Sequence, residues 1–133
     1  MATAQKEFIV RAPADRVWAA FRDVGAVHTR LARKFVTDCR LDGDSRIVTF
    51  ADGTVVRERI VTIDEARRRL AYAVTEWRTT HHNASFQVFD EGDGRTRIVW
   101  ITDVLPNDLG GLIDGMMEQG AAAMKQTLEA ADR

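Results

Sequence analysis

The chain has 133 residues, 45% of them hydrophobic, enough for one domain with its own core and too few for two of ordinary size. Its 19 basic and 20 acidic side chains leave a net charge of -1, so no overall field draws it to nucleic acid or to an anionic membrane surface. The lone cysteine, Cys39, excludes an internal disulfide, no His/Cys spacing suits structural zinc, and no run approaches the ~20 apolar residues of a membrane span.

Met1 to Lys6 has no apolar signal core. The expectation is a single cytoplasmic domain over residues 1–133, with no metal, other cofactor, nucleic acid or membrane among its partners. A homodimer stays open.

In chain order, Phe8-Ile9-Val10 reads as a short strand. Ala12-Pro13-Ala14-Asp15 then starts a helix, because proline fits a first turn where its missing N–H is not needed. Val17, Trp18 and Phe21 make its buried stripe, and Val24, Val27 and Leu31 suggest a second short helix that Gly25 weakens. Residues 35–41, 45–50, 54–63, 69–77, 81–89 and 95–104 then read as six strands, most of them separated by Asp/Gly turns. From Asn107 to Arg133 the period changes to three and four: Leu109, Leu112, Ile113, Met116, Met117, Gly120, Ala123, Met124, Thr127, Leu128 and Ala131 share one face of a long helix. That stripe must cover the inner face of the sheet, because nothing else in so short a chain can. A curved antiparallel sheet of about seven strands closed by one helix, with two short helices after the first strand, is an α+β arrangement that leaves a pocket between its layers.

Strand alternation assigns the pocket face. It selects Leu70, Tyr72, Val74 and Glu76, then His82, Ala84, Phe86 and Val88, then Ile98, Trp100, Thr102 and Val104. For residues 54–63 the pattern is mixed, and the preceding turn decides. A three-residue loop Ala51-Asp52-Gly53, with Gly53 left-handed, sets Phe50 opposite Thr54, Val48 opposite Val56 and Arg46 opposite Glu58. A two-residue turn would instead oppose Arg46 to Arg59, and facing like charges are unfavourable. The first register places a carboxylate and a guanidinium among apolar neighbours, where they need each other or a ligand. Arg46 could hold a ligand carboxylate there, and Glu58 a hydroxyl.

The order of elements, with Ala12-Pro13-Ala14-Asp15-Arg16-Val17-Trp18 at the start, resembles the START/Bet v 1-like superfamily, in particular its polyketide cyclase/dehydrase-like branch. The segments Arg46-x-Val48-Thr49-x-x-Asp52-Gly53, Glu58-Arg59-Ile60-x-x-x-Asp64, Arg69-Leu70-x-Tyr72 and Thr96-Arg97-x-x-Trp100 carry the resemblance across the whole chain. It implies a helix-grip fold with a cavity for small, mostly apolar molecules, into which Glu58, Tyr72 and Trp100 point. The chain departs from that pattern at Trp77-Arg78-Thr79-Thr80-His81-His82-Asn83, where His82 replaces an aromatic.

The candidate ligand-binding residues are therefore Arg46, Val48, Phe50, Val56, Glu58, Ile60, Tyr72, Val74, His82, Ala84, Phe86, Trp100, Ile113, Met116, Met117 and Gly120. Glu58, Tyr72 and His82, with Glu76 near them, are the candidate acid/base groups for moving a proton on a carbonyl substrate. His81 and His82 are adjacent in a strand and face opposite ways, so they do not share a metal. His28 is expected in solvent, and Trp18, Trp77 and Cys39 in packing roles. Two functions follow: a binding protein for a small hydrophobic or amphipathic molecule, or a small cyclase or dehydratase working in the same cavity. A chaperone-associated role through the sheet has less support, since the sequence identifies no large exposed apolar patch.

Overall fold

The structure, a computed structural model, describes residues 2–130. Its strands are β1 (Ala2–Val10), β2 (Val36–Asp42), β3 (Ser45–Phe50), β4 (Val55–Asp64), β5 (Arg69–Glu76), β6 (His81–Gly92) and β7 (Arg95–Leu105). They form one antiparallel sheet in the order β1-β7-β6-β5-β4-β3-β2, so successive strands from β2 to β7 are neighbours and β1 joins the far edge against β7. The helices are α1 (Ala14–Arg22) and α2 (Gly110–Ala130), with a short 3-10 turn at Asn107–Leu109 before α2.

Two elements differ from the sequence expectation. The first strand begins at Ala2 rather than Phe8, because its whole length pairs with β7, from Ala2 opposite Val104 to Val10 opposite Thr96. Alanine, threonine and charged residues carry little strand signal of their own, and the partner supplies what the pattern lacks. The second short helix is a single π-helical turn, Val27–Leu31, closed by Ala32 N–H to Val27 O at 2.8 Å. Gly25 precedes it because a Cβ there would lie 3.1 Å from the Leu41 side chain, so the backbone passes close to β2. Val27 and Leu31 are buried; His28 is half-buried, and its Nδ1 is enclosed with no partner among the described residues, so it is not the solvated residue expected.

The hairpin between β3 and β4 has the three-residue loop. Gly53 sits at φ +90°, its N–H donates to Phe50 O at 2.9 Å, and Arg46 pairs with Glu58 and Val48 with Val56. Further along, the β4–β5 pairing shifts between Arg57 and Glu58, so Glu76 is opposite Arg57 and exposed, not on the inner face as alternation implied.

Helix α2 buries Ile113, Met117, Gly120, Met124, Thr127 and Leu128, while Leu112 is 41% exposed and Ala131 lies outside the described residues. Polar contacts pin it mainly along β1. Lys6 Nζ reaches Asp114 and Glu118 at 3.1 and 2.9 Å, Lys125 Nζ donates to Ile9 O at 2.7 Å, and Glu129 accepts from Arg11 N–H at 2.9 Å. Thr127 Oγ1 accepts from Arg33 N–H at 3.0 Å and donates to Ala123 O at 2.8 Å, tying the segment before β2 to the helix. On the same inner face, α1 lays Phe21 against Phe86, with ring centroids 4.7 Å apart, and Phe86 stacks on Trp100 at 4.6 Å. No helix among the described residues is long and apolar enough to cross a membrane.

Candidate functional site

Between the sheet and α2 lies a cavity of about 80 Å³, several times the ~10–15 Å³ that one water requires. Its floor is made by inward positions of five strands: Arg46, Val48 and Phe50 on β3, Val56 and Glu58 on β4, Tyr72 and Val74 on β5, His82 and Phe86 on β6, and Trp100 and Thr102 on β7. Ile113, Met116, Met117 and Met124 of α2 form the roof, and residues from Val27 to Val36 close one end. The lining is mostly aliphatic and aromatic, the surface that takes an apolar molecule out of water.

Three of the residues expected in this lining are not in it. Ala84 is buried between Tyr72 and Thr102 in the cross-strand register, and its methyl is shorter than either neighbour. Ile60 pairs with Tyr72 beside the irregularity before Thr62, beyond Glu58, and is only half-buried. Gly120 faces no void: an added Cβ would lie 3.1 Å from the Trp100 ring and 3.2 Å from the Phe35 ring, so the glycine permits close approach of helix to sheet. Sequence reasoning in turn left out Phe35, Trp77, Thr102, Met124 and the Val27–Val36 segment. Thr102 and Met124 already stood on inward faces; Phe35 and Trp77 sit at strand ends, where alternation gives no direction.

The charged pair is fully formed. Arg46 Nε donates to Glu58 Oε1 at 2.8 Å, with the side chains 4% and 9% exposed. The guanidinium also reaches Val24 O at 3.4 Å and lies 5.2 Å from the centre of the Tyr72 ring, a cation–π distance. Such a pair is tolerated inside a protein when each charge has its partner and further hydrogen bonds. Burial, and after it the Glu58 carboxylate, push the Tyr72 phenol well above its ordinary value, so it stays protonated and uncharged.

Glu58, Tyr72 and His82 do not assemble into a proton relay: among the described residues no hydrogen bond joins His82 to either of the others. Burial lowers the His82 pKa to about 4, with neighbouring His81 adding to the effect, so its ring is neutral at pH 7. His81 itself is on the outer face, Nε2 2.6 Å from Asn83 Oδ1. Among the described residues, no three His, Cys, Asp or Glu side chains are grouped to hold a metal ion.

Among the described residues, three polar atoms on lining residues are buried without a protein partner: His82 Nδ1, Trp100 Nε1 and Thr102 Oγ1. The Trp100 indole is close enough to Tyr72 to ease ionisation of the phenol slightly, but no hydrogen bond of good geometry joins them.

Solved structures show where this architecture recurs. A START superfamily protein from Mycobacterium smegmatis superposes with a TM-score of 0.83 at 15% identity, over 98% of this chain and 99% of that one. A solution structure from Thermobifida fusca is 29% identical, with a TM-score of 0.75 over 94% and 91% of the two chains. Norcoclaurine synthase from Thalictrum flavum, in complex with dopamine and hydroxybenzaldehyde, gives a TM-score of 0.70 at 20% identity, over 93% and 84%. No curated protein matches the sequence. The family model described as polyketide cyclase/dehydrase and lipid transport matches residues 1–132, and the chain belongs to that family.

Proposed function

We propose that this protein binds a small hydrophobic or amphipathic molecule in the cavity between the sheet and α2. The observation that carries this reading is the lining itself, an apolar enclosure interrupted only by the paired Arg46 and Glu58 and a few uncharged polar groups. Filling it removes apolar surface of protein and ligand from water together, at about 25 cal/mol per Å².

Catalysis in the same cavity is the second reading, supported by one feature: His82 carries an unprotonated ring at neutral pH. A base of such low proton affinity is a weak one, and Glu58 is held by Arg46 while Tyr72 is locked in its protonated form. Binding is therefore the better-supported function.

Native mass spectrometry of protein purified from its own host tests it directly. A co-purifying small molecule, displaced by an apolar fluorescent probe, is the expected result. A ligand-free protein that takes up no such probe would reject the proposal, and turnover of aromatic polyketide intermediates that vanishes in a folded His82→Ala variant would favour the enzyme.

A further inference from the structure

The sheet ends in two edge strands, β1 and β2, and the two edges differ. At β1, side chains of α2 hold the backbone: Lys125 Nζ donates to Ile9 O at 2.7 Å, and Glu129 accepts from Arg11 N–H at 2.9 Å just past the strand. A lysine laid on an edge is one way to prevent pairing there. At β2 the edge is open. Phe50 N–H donates to Thr54 O and Ile60 N–H to Asp44 O, so the even-numbered residues of β3 bond toward β4 and the odd-numbered ones toward β2. Thr49 and Ile47 are opposite Asp38 and Arg40, which therefore bond to β3, while Cys39 and Leu41 turn their N–H and C=O groups outward from the sheet. Among the described residues, no backbone hydrogen bond reaches those outward groups.

The side chains of this edge are self-complementary. Asp38 and Arg40 are exposed on either side of Cys39, and among the described residues neither has an ion-pair partner, whereas Arg57 and Arg59 of β4 are held by Asp42 and Asp44. Leu41, 59% exposed, is a large apolar side chain at the same edge. A second β2 laid antiparallel beside the first must set outward-bonding residues opposite each other, so the two-fold axis falls at a single residue. An axis at Cys39 opposes Asp38 to the partner's Arg40, twice. One at Arg40 opposes Arg40 to itself and Asp38 to Asp42, and one at Asp38 opposes Asp38 to itself. One at Leu41 opposes Asp38 to Asp44, and gives Arg40 only an Asp42 that Arg57 already holds. Facing like charges are unfavourable, so the charges select the axis at Cys39.

We propose that β2 is the surface through which two copies of this chain associate, their strands antiparallel about Cys39, with Asp38 and Arg40 of each copy paired to the other. Cys39 N–H and C=O bond to the same groups of the partner, which joins the two sheets into one. Asp38 and the partner's Arg40 form a pair without backbone hydrogen bonds between them, the kind whose Cα atoms stand about 4.5 Å apart, so their charges meet. Leu41 is partly covered by the added strand. A net charge of -1 leaves little long-range repulsion between the copies. The ladder is short, because the register of β2 shifts between Val36 and Asp38, and the dimer is therefore a reversible one. None of this depends on what occupies the cavity.

Charge reversal tests the register. In Asp38→Arg two arginines face each other across the interface, twice, and in Arg40→Asp two aspartates do. Sedimentation equilibrium should show a concentration-dependent dimer for the wild type and self-association at least about tenfold weaker in each single variant. An equimolar mixture of the two variants, and the double variant Asp38→Arg, Arg40→Asp by itself, restore opposite charges at both positions and should recover the dimer. A wild type that stays monomeric up to about 1 mM overturns the proposal. So does a dimer that neither single variant weakens, or one that folded single variants lose and neither the mixture nor the double variant regains. Should a variant fail to fold, hydrogen exchange of the wild type decides. The Cys39 amide should become protected as protein concentration rises, while the Arg40 amide, bonded to β3, is protected throughout. A dimer that leaves the Cys39 amide exchanging as in the monomer would place the contact elsewhere and overturn the proposal.

Discussion

Arg46 and Glu58 face each other from adjacent strands, Nε to Oε1 at 2.8 Å, and each side chain is at least nine-tenths buried. Removing one member leaves the other charged and unpaired in an apolar enclosure, whereas removing both leaves only a change of shape. Glu58→Ala should therefore destabilise the fold by about 3–5 kcal/mol, and the double change Arg46→Met, Glu58→Ala by much less. Urea denaturation of the two single variants and the double one closes the cycle. Zero coupling energy would mean that the pair is solvated in solution.

This pair also shows what could be read from the sequence. The register was decided by one glycine and one charge conflict, since a two-residue turn would have set Arg46 against Arg59, and the structure has Arg46 opposite Glu58. The inward set of β7 followed from alternation in the same way, because a period of two leaves no other choice once Ile98 and Trp100 are inside. What was hidden depends on contacts distant in sequence. Ala2 to Glu7 is a strand because β7 pairs with it, and Glu76 turns outward because the β4–β5 ladder slips. Phe35 and Trp77 reach the cavity from strand ends, where no periodicity points. Gly120 was legible as unusual, but only the distances to Trp100 and Phe35 distinguish close approach from open space.

His82 sets a pH dependence with a defined sign. Its folded-state pKa, about 4, lies below its ordinary 6.5, so between these values the unfolded chain binds more protons than the folded one. Stability from this group is complete above pH 6.5 and is lost as the pH falls toward 4. His81, exposed beside it, repels the protonated ring further, and Asp103 on the outer face is hydrogen-bonded to Thr3 and Asn83 rather than to His82. The carboxylates with lowered pKa values, Glu65 and Glu129 among them, act in the same direction but at lower pH, because their ordinary pKa values are 4.5 or below. Denaturant midpoints measured at pH 5 and 7 should differ less in His82→Phe than in the wild type. An unchanged difference would show that His82 is solvated.

Thr102→Val should not destabilise the empty protein. The hydroxyl is buried and has no partner among the described residues, so replacing it with a methyl of nearly the same shape removes a desolvated group and breaks no hydrogen bond among them. The expected change in melting temperature is zero or positive. The nearby control is Thr96→Val, which deletes a buried hydroxyl that donates to Ala12 O at 2.7 Å and should cost about 1 kcal/mol or more. If both changes destabilise equally, Thr102 has a structural partner in solution.

Two positions on α2 separate cavity from close packing. Met117 lines the cavity, and a larger side chain there has space to enter, so Met117→Trp should abolish uptake of an apolar fluorescent probe while leaving the far-UV circular dichroism nearly unchanged. Gly120 is the opposite case. The first carbon added there meets the Trp100 and Phe35 rings at 3.1 and 3.2 Å, and those rings are themselves held, Trp100 against Phe86 at 4.6 Å and Phe35 against Phe50 at 5.3 Å. Gly120→Leu must therefore lift α2 from the sheet or displace two aromatics, and the expected cost is ~1–3 kcal/mol. Gly115, on the outer side of the same helix with nothing within 4 Å of its added Cβ, supplies the control: Gly115→Ala should stabilise by up to about 1 kcal/mol through helix propensity alone. A Gly120→Leu variant as stable as wild type would mean that the helix stands further from Trp100 in solution. Unaltered probe uptake in a folded Met117→Trp variant would place the ligand outside this cavity.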